Sequence, residues 1–385
     1  MFELTENQKQ FQEAARTFAQ SEMAPLAAEW DAKKIFPKDV LKKAAEMGFM
    51  GVYTREDVGG MELGRLDAAI MFEELAAGCT STTAYITIHN MVTWMIDAFG
   101  PEALRKEWCP KLTSAELLGS YCLTEANSGS DAASLKTKAV KEGDVYTLNG
   151  SKVFVSGGGE TDVLVVMART GDNTPKGISA FLVPANTPGV SYGENEKKMG
   201  WNSQPTRVIN FDNVKIPAGN LLGKEGDGFK IAMKGLDGGR INIGTCSIGC
   251  AQAALNATHK YMNDRKQFGK LLKDFQALQF RVADMFTDLI AARQMVRLAA
   301  WKLDNKDPQA TVYCAMAKRF ASDKGFEICN EAIQLHGGYG YTQEYPVERH
   351  MRDSRVHQIL EGTNEIMRVI VSRKVLDENG ADIFR

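Results

Sequence analysis

No apolar run in the 385 residues approaches the roughly 20 needed to cross a bilayer, so no membrane-spanning helix is expected. Met1 is followed by Phe-Glu-Leu-Thr-Glu, without the basic start, apolar core or Arg/Ser-rich pattern of a targeting segment. That opening predicts a cytoplasmic protein, or a mitochondrial-matrix one if the chain is a processed eukaryotic form. A basic stripe is also missing: 46 Lys and Arg face 48 Asp and Glu, the formal net charge is -2, and nucleic acid is not an expected partner. Zinc-like spacing is absent among Cys79, Cys109, Cys122, Cys246, Cys250, Cys314 and Cys329, and no histidine sits at ligand distance beside them. Seven scattered thiols read as core residues of a protein in a reducing compartment, and no metal site is expected. The run Gly157-Gly158-Gly159 lacks the Lys-Ser/Thr of a P-loop and the spacing of a dinucleotide fingerprint, which excludes both assignments. Internal repeats, low-complexity tracts and long linkers are missing as well.

What is present divides into three segments, consistent with a length beyond the usual single-core limit of about 250 to 300 residues. Residues 1–118 carry helical periodicity, opening on a Thr5-x-x-Gln8 capping box with Phe11, Ala15 and Phe18 at helical spacing. Helices are expected over 40–49, after Pro37, over 65–77, and over 81–99, ending at Gly100-Pro101. Residues 119–226 switch to a period of two, with strands over 161–169, 178–184 and 207–214 and breaks at Glu142-Gly143-Asp144 and Asn149-Gly150. Residues 227–385 return to the helical period over 228–263, 275–304, 309–335 and 364–376. The fold class is α+β: an N-terminal helical domain, a middle β-barrel or sandwich domain, and a C-terminal four-helix bundle.

Five stretches could carry chemistry. In His357-Gln358-Ile359-Leu360-Glu361-Gly362-Thr363-Asn364-Glu365 a carboxylate stands between an apolar pair and a glycine, just before an amphipathic helix. Burial against Ile359 and Leu360 would raise its pKa toward that of a proton-abstracting base, although most Glu-Gly pairs are turns. Tyr121-Cys122-Leu123-Thr124-Glu125-Ala126-Asn127-Ser128-Gly129-Ser130 runs from a strand into a hydroxyl-rich loop whose backbone N–H groups could approach a ligand; an ordinary loop has the same composition. Phe154-Val155-Ser156 sets an aromatic and a hydroxyl at a strand end. Asp264-Arg265-Lys266-Gln267-Phe268-Gly269-Lys270 offers a guanidinium to a phosphate or is a solvated helix end. Gln334-Leu335-His336-Gly337-Gly338-Tyr339 closes a helix with glycines that serve equally as C-caps.

Taken together and in this order, these motifs resemble the acyl-CoA dehydrogenase family of flavoproteins over essentially the whole chain. Within the family, Gly78-Cys79-Thr80-Ser81-Thr82-Thr83-Ala84-Tyr85, Gly200-Trp201-Asn202-Ser203-Gln204-Pro205-Thr206 and Leu236-Asp237-Gly238-Gly239-Arg240-Ile241-Asn242 are most similar to the branch acting on isobutyryl-CoA. The resemblance implies FAD as cofactor and α,β-dehydrogenation of a short branched acyl-CoA, the step from isobutyryl- to methacrylyl-CoA in valine degradation. It implies Glu361 as the α-proton base. FAD contacts are implied for Tyr121, Cys122, Leu123, Thr124, Ser128, Gly129, Ser130, Phe154, Val155 and Ser156. Across a subunit interface it implies Arg265, Phe268, Phe275 and Gln276, with Gln334, Leu335, His336, Gly337 and Gly338, and beside the base Thr363, Asn364 and Glu365. The acyl-CoA path would be lined by Ser130, Ser179, Asp237, Gly238, Gly239, Arg240, Gly362 and Arg373.

The implied partners are an electron-transfer flavoprotein as acceptor and further copies of the chain in a tetramer. Departures from the family pattern are Ala126-Asn127 for a common Pro-Gly, Ser156 for a Thr and Phe154 for a Trp; each keeps loop character, a hydroxyl or an aromatic face. Some relatives carry the base on the helix that here holds Gly238 and Gly239. Alternatives are a 2-methylbutanoyl- or short straight-chain acyl-CoA dehydrogenase, an acyl-CoA oxidase, and a non-catalytic DNA-associated flavoprotein. The near-zero net charge and the intact Glu361 oppose the last.

Overall fold

The Thr5 hydroxyl accepts the Gln8 N–H at 3.2 Å while Gln8 Oε1 accepts the Thr5 N–H at 3.1 Å, so the first helix starts where its sequence caps it. The computed structural model describes residues 3–377 and 380; residues 1–2, 378–379 and 381–385 lie outside the described residues. Among the described residues, six α-helices form the N-terminal segment: α1 (Glu6–Phe18), α2 (Ala27–Lys33), α3 (Lys38–Glu46), α4 (Arg65–Gly78), α5 (Thr80–Phe99) and α6 (Glu102–Thr113). Helix α5 stops at Gly100 because Pro101 follows and disfavours the helical conformation of the residue before it.

The β-segment comprises β1 (Gly119–Cys122), β2 (Lys138–Glu142), β3 (Val145–Ser156), β4 (Val163–Arg169), β5 (Ile178–Pro184), β6 (Val190–Tyr192), β7 (Thr206–Pro217) and β8 (Leu221–Leu222). They form one sheet in the order β6-β7-β3-β2-β4-β5-β8, with β1 parallel to β4. Both faces of β4 are covered, which explains its unbroken apolar run. Val163, Val165 and Met167 pack with residues from α5 and the helix that follows the sheet, including Met91 and Ile231, while Leu164, Val166 and Ala168 join Tyr146, Phe181 and Ile209 on the other side.

One expected break is absent. Asn149-Gly150 does not end a strand; β3 runs through it, with a register shift against β7 between Leu148 and Gly150. Gly150 has φ +149°, and a Cβ there would lie 2.7 Å from the Thr137 Cα, so only glycine fits. An Asn-Gly pair suits a turn or a bulge equally well, and pairing with distant β7 decides between them.

The C-terminal segment holds α7 (Gly228–Asp264), a short hairpin of β9 (Lys266–Gln267) and β10 (Lys270–Leu271), then α8 (Gln276–Asp304), α9 (Ala310–His336), α10 (Val347–Arg355) and α11 (Asn364–Val375). Its core joins Ile241, Ile248, Leu289, Val296, Cys314, Ala321 and Ile328. Helix α10 is the element that periodicity did not separate, being only nine residues and mostly polar. All seven cysteines are buried and unpaired. Among the described residues, no helix is long and apolar enough to cross a membrane.

Candidate active site

Between α10 and α11 the chain makes a tight loop in which Glu361 and Gly362 take positive φ values in succession, +56° and +89°. A left-handed glutamate costs on the order of 1–3 kcal/mol and persists only where its surroundings hold it. Those surroundings come from α9. Lys318 Nζ donates to the Gly362 carbonyl at 2.7 Å and to Asn364 Oδ1 at 2.9 Å. Asn364 Nδ2 donates to Ser322 Oγ at 3.0 Å and Asp323 Oδ1 at 2.7 Å, and Gln358 Nε2 donates to the same Asp323 oxygen at 2.8 Å. Thr363 caps α11 by accepting the Ile366 N–H at 3.3 Å.

The Glu361 carboxylate rests on α7. A Cβ built at Gly239 would lie 2.2 Å from Oε2. Of the apolar pair expected to cover it, Leu360 packs with Ala84, Trp201, Ile243 and Cys246, but Ile359 is 51 % exposed and contributes no cover. Oε2 is buried, and among the described residues no other buried carboxylate oxygen lacks a hydrogen-bond partner. Burial pushes this carboxyl up to about 7, with the Arg240 and Lys318 charges pulling back. Asp237, the other acid here, is tied to Arg240 Nη1 and Thr311 Oγ1, each at 2.7 Å.

Further unmet polar atoms crowd the same stretch of α7. The Tyr121 hydroxyl, Arg65 Nη1 and Arg240 Nε are buried without partners. Arg65 lies 3.6 Å over the Tyr53 ring, and Gly238 makes room for it, since a Cβ there would meet Nη1 at 2.2 Å. Burial raises the phenols of Tyr53 and Tyr121, and the Glu361 charge adds to both shifts. Buried polar groups are normally satisfied, so this concentration marks a place prepared for a bound group.

The two loops expected to meet a cofactor are neighbours: the Val153 N–H donates to the Thr124 carbonyl at 2.8 Å. A buried Lys152 holds them, donating to Leu123 O at 3.0 Å and Glu125 Oε1 at 2.7 Å, while Glu125 also accepts the Lys136 and Thr137 N–H groups. Phe154, at φ +58°, turns its ring outward with 68 % exposure, and Thr124 and Ser156 are half-buried beside it. Ser128 is buried and bonded to Asp131 O; Gly129 and Ser130 are exposed. The side chains of Cys122, Leu123 and Val155 belong to the core. The Ser179 hydroxyl is fully buried and committed to Thr170 Oγ1 and the Gly226 N–H.

The remaining candidates form a second group. Arg265 stacks 5.4 Å over Tyr339, and Phe268, 93 % exposed, sits 6.4 Å from Phe275, with Gln276 exposed at the start of α8. Gln334, Gly337 and Gly338 are exposed; Leu335 and His336 are buried, His336 stacking on Tyr261 at 4.4 Å. Among the described residues, no hydrogen bond, ion pair or ring contact joins this group to the β-segment loops within the chain. Glu365 and Arg373 are exposed on α11. Lys318, Lys152, Tyr53 and Arg65 were not singled out from sequence. Lys318 could have been: Cys314 and Ala321 place it on the buried face of α9.

These features define an enzyme whose helical, β and helical segments converge on a buried, unpaired carboxylate. Comparison with known proteins specifies it further. Residues 5–116, 120–214 and 226–376 match the N-terminal, middle and C-terminal domains of acyl-CoA dehydrogenase. The chain belongs to the acyl-CoA dehydrogenase family, and acyl-CoA is its substrate class. It is 56 % identical to the mitochondrial isobutyryl-CoA dehydrogenase of Bos taurus over 375 residues, 97 % of this chain and 90 % of that protein. Butyryl-CoA dehydrogenase from Megasphaera elsdenii superposes with a TM-score of 0.94 at 40 % identity, covering 98 % of this chain and 100 % of that one. A Mycobacterium smegmatis glutaryl-CoA dehydrogenase solved with FADH2 gives 0.92 at 26 % identity, covering 98 % and 96 %.

Proposed function

We propose that this protein dehydrogenates a short branched acyl-CoA, isobutyryl-CoA above others, with FAD as cofactor and Glu361 as the base. The observation that carries the reading is the half-buried Glu361, whose Oε2 is buried and unpaired and whose carboxyl is raised to about 7. The residues present fit FAD: Phe154 offers an unclaimed aromatic face, Thr124 and Ser156 stand beside it, and a buried ion pair, Lys152 with Glu125, fixes the loops that carry them.

FAD, when bound, supplies a ring that takes the β-hydrogen of the acyl group as hydride. The chain's own work is placement and proton transfer. Glu361 accepts the α-proton on its Oε2, and a base poised near 7 is suited to this at neutral pH. The neighbouring Leu360 packs against Ile243 and Trp201, and burial of the carboxylate keeps its basicity high. Gly239 leaves the space the carboxylate occupies.

The partner chemistry follows the same reading. Electrons leave to an electron-transfer flavoprotein, and copies assemble into a tetramer in which the half-buried Arg265 and the exposed Phe268, Gln276, Gly337 and Gly338 of one subunit complete a neighbour's cofactor site. Its place is a reducing aqueous compartment, cytoplasm or mitochondrial matrix, in keeping with seven unpaired thiols.

Anaerobic titration of the flavin-loaded protein with isobutyryl-, 2-methylbutanoyl-, butyryl- and isovaleryl-CoA tests the proposal. Isobutyryl-CoA is expected to bleach the flavin at the lowest excess. Overlap with the others is expected, because one methylene discriminates by only ~1–3 kcal/mol. Preferential bleaching by butyryl-CoA overturns the branched-chain assignment, and no bleaching by any of the four overturns the dehydrogenation itself.

A further inference from the structure

Lys318 has no exposure, and it sits in the first third of α9 among the buried Cys314, Ala317 and Ala321. A buried ammonium is costly and is expected only where something depends on it. Neither of its bonds stabilises α9 itself. Both reach across to the loop that bears Glu361, to the carbonyl of the very next residue at 2.7 Å and to Asn364 Oδ1 at 2.9 Å. One turn further along α9, Ser322 and Asp323 hold Asn364 and Gln358, so the loop is gripped on both sides of residue 361 while the Glu361 side chain is left without a bond.

We propose that Lys318 is the positioning residue for the base: it anchors the left-handed turn that aims Glu361 at Gly239, and its charge sets the pH at which Glu361 can accept a proton. The inference rests on Glu361 being the base. The groups bearing on Lys318 are Glu361 from the loop, Arg240 from α7, Asp323 from α9, Glu365 from α11, and the buried neutral His357 from the turn after α10. Burial presses Lys318 and Glu361 toward neutrality and their mutual attraction holds them charged, so the two titrate as a pair near pH 7. Removing the cation leaves Glu361 with Arg240 alone to favour its ionised form. More of it is then protonated at neutral pH, and the rate reaches half its maximum at a higher pH.

The test is anaerobic rapid mixing of flavin-loaded Lys318→Met with isobutyryl-CoA, across pH 6 to 9, beside Glu361→Gln and the double variant. Lys318→Met should slow flavin bleaching roughly 10- to 100-fold at pH 7 with KM little changed, as a displaced base does. Its half-rate pH should rise by about one pH unit or more, the effect of losing one close opposite charge. On the Glu361→Gln background the same substitution should change the residual rate by less than about threefold, because both act through one group. A Lys318→Met protein with the parental rate and pH profile overturns the inference while leaving the base assignment intact. So do losses that multiply in the double variant. Parental bleaching by Glu361→Gln alone overturns the base assignment instead. If Lys318→Met does not fold, Asn364→Ala, which removes one of the two acceptors, should lower kcat at constant KM, and an unchanged kcat overturns the inference.

Discussion

Gly239 presents bare backbone to the Glu361 carboxylate, with 2.2 Å between Oε2 and the place a Cβ would take. The two residues are far apart in sequence, and their contact fixes where the base stands. Gly239→Ala should therefore separate stability from activity. An alanine inside a helix is worth up to about 1 kcal/mol over glycine, so the melting temperature should hold or rise except for what displacing Glu361 costs. Flavin bleaching should fall on the order of 10²-fold, the penalty for a base moved by about 1 Å. Parallel thermal melts and rapid-mixing rates check this; equal losses in both would show that the glycine serves packing alone.

Glu361 also makes a stability prediction with a definite sign. Its folded pKa of about 7 lies above the unfolded value of 4.5, so the native state binds this proton more tightly. Stability tied to the group is intact below pH 4.5, falls as the pH rises toward 7, and stays lost above that. At 1.36 kcal/mol per pH unit the full effect is about 3 kcal/mol. Flavin-loaded Glu361→Gln should thus melt above the parent at pH 8 and alongside it at pH 4.5. The comparison is a pair of melting curves at each pH, and a variant less stable than the parent at pH 8 contradicts the buried, unpaired carboxylate.

Phe154 is 68 % exposed and makes no packing that the fold needs. Phe154→Ala should leave the melting temperature of flavin-free protein within about 2 °C of the parent, since surface changes rarely exceed about 0.5 kcal/mol. FAD affinity should drop about three- to tenfold, the worth of one aromatic stacking contact at roughly 0.5–1.5 kcal/mol. Calorimetric titration of both proteins with FAD reads this directly, and unchanged affinity would remove Phe154 from the cofactor site.

Much of the architecture was legible because local signals and tertiary packing agree. The Thr5–Gln8 box, the Gly100-Pro101 stop and the apolar run of β5 each specify their own boundary. What stayed hidden depends on partners distant in sequence. Asn149-Gly150 reads as a turn until β7 pairs across it, and α10 is too short and polar for periodicity to detect. At the site, the Glu361 motif is readable, but its burial comes from Gly239 and Leu360, not from Ile359, which faces solvent. Lys318 and Lys152 went unremarked because lysine is ordinarily a surface residue; their buried partners, a loop carbonyl and Glu125, appear only once the chain is folded.

The central claim is that Glu361 removes the α-proton, and a substitution that keeps its shape while removing the proton acceptor addresses it most directly. Flavin-loaded Glu361→Gln, mixed anaerobically with isobutyryl-CoA at pH 7.5, should bind the thioester and retain its flavin while bleaching at least ~10²- to 10⁴-fold more slowly than the parent. Bleaching at the parental rate would contradict the claim.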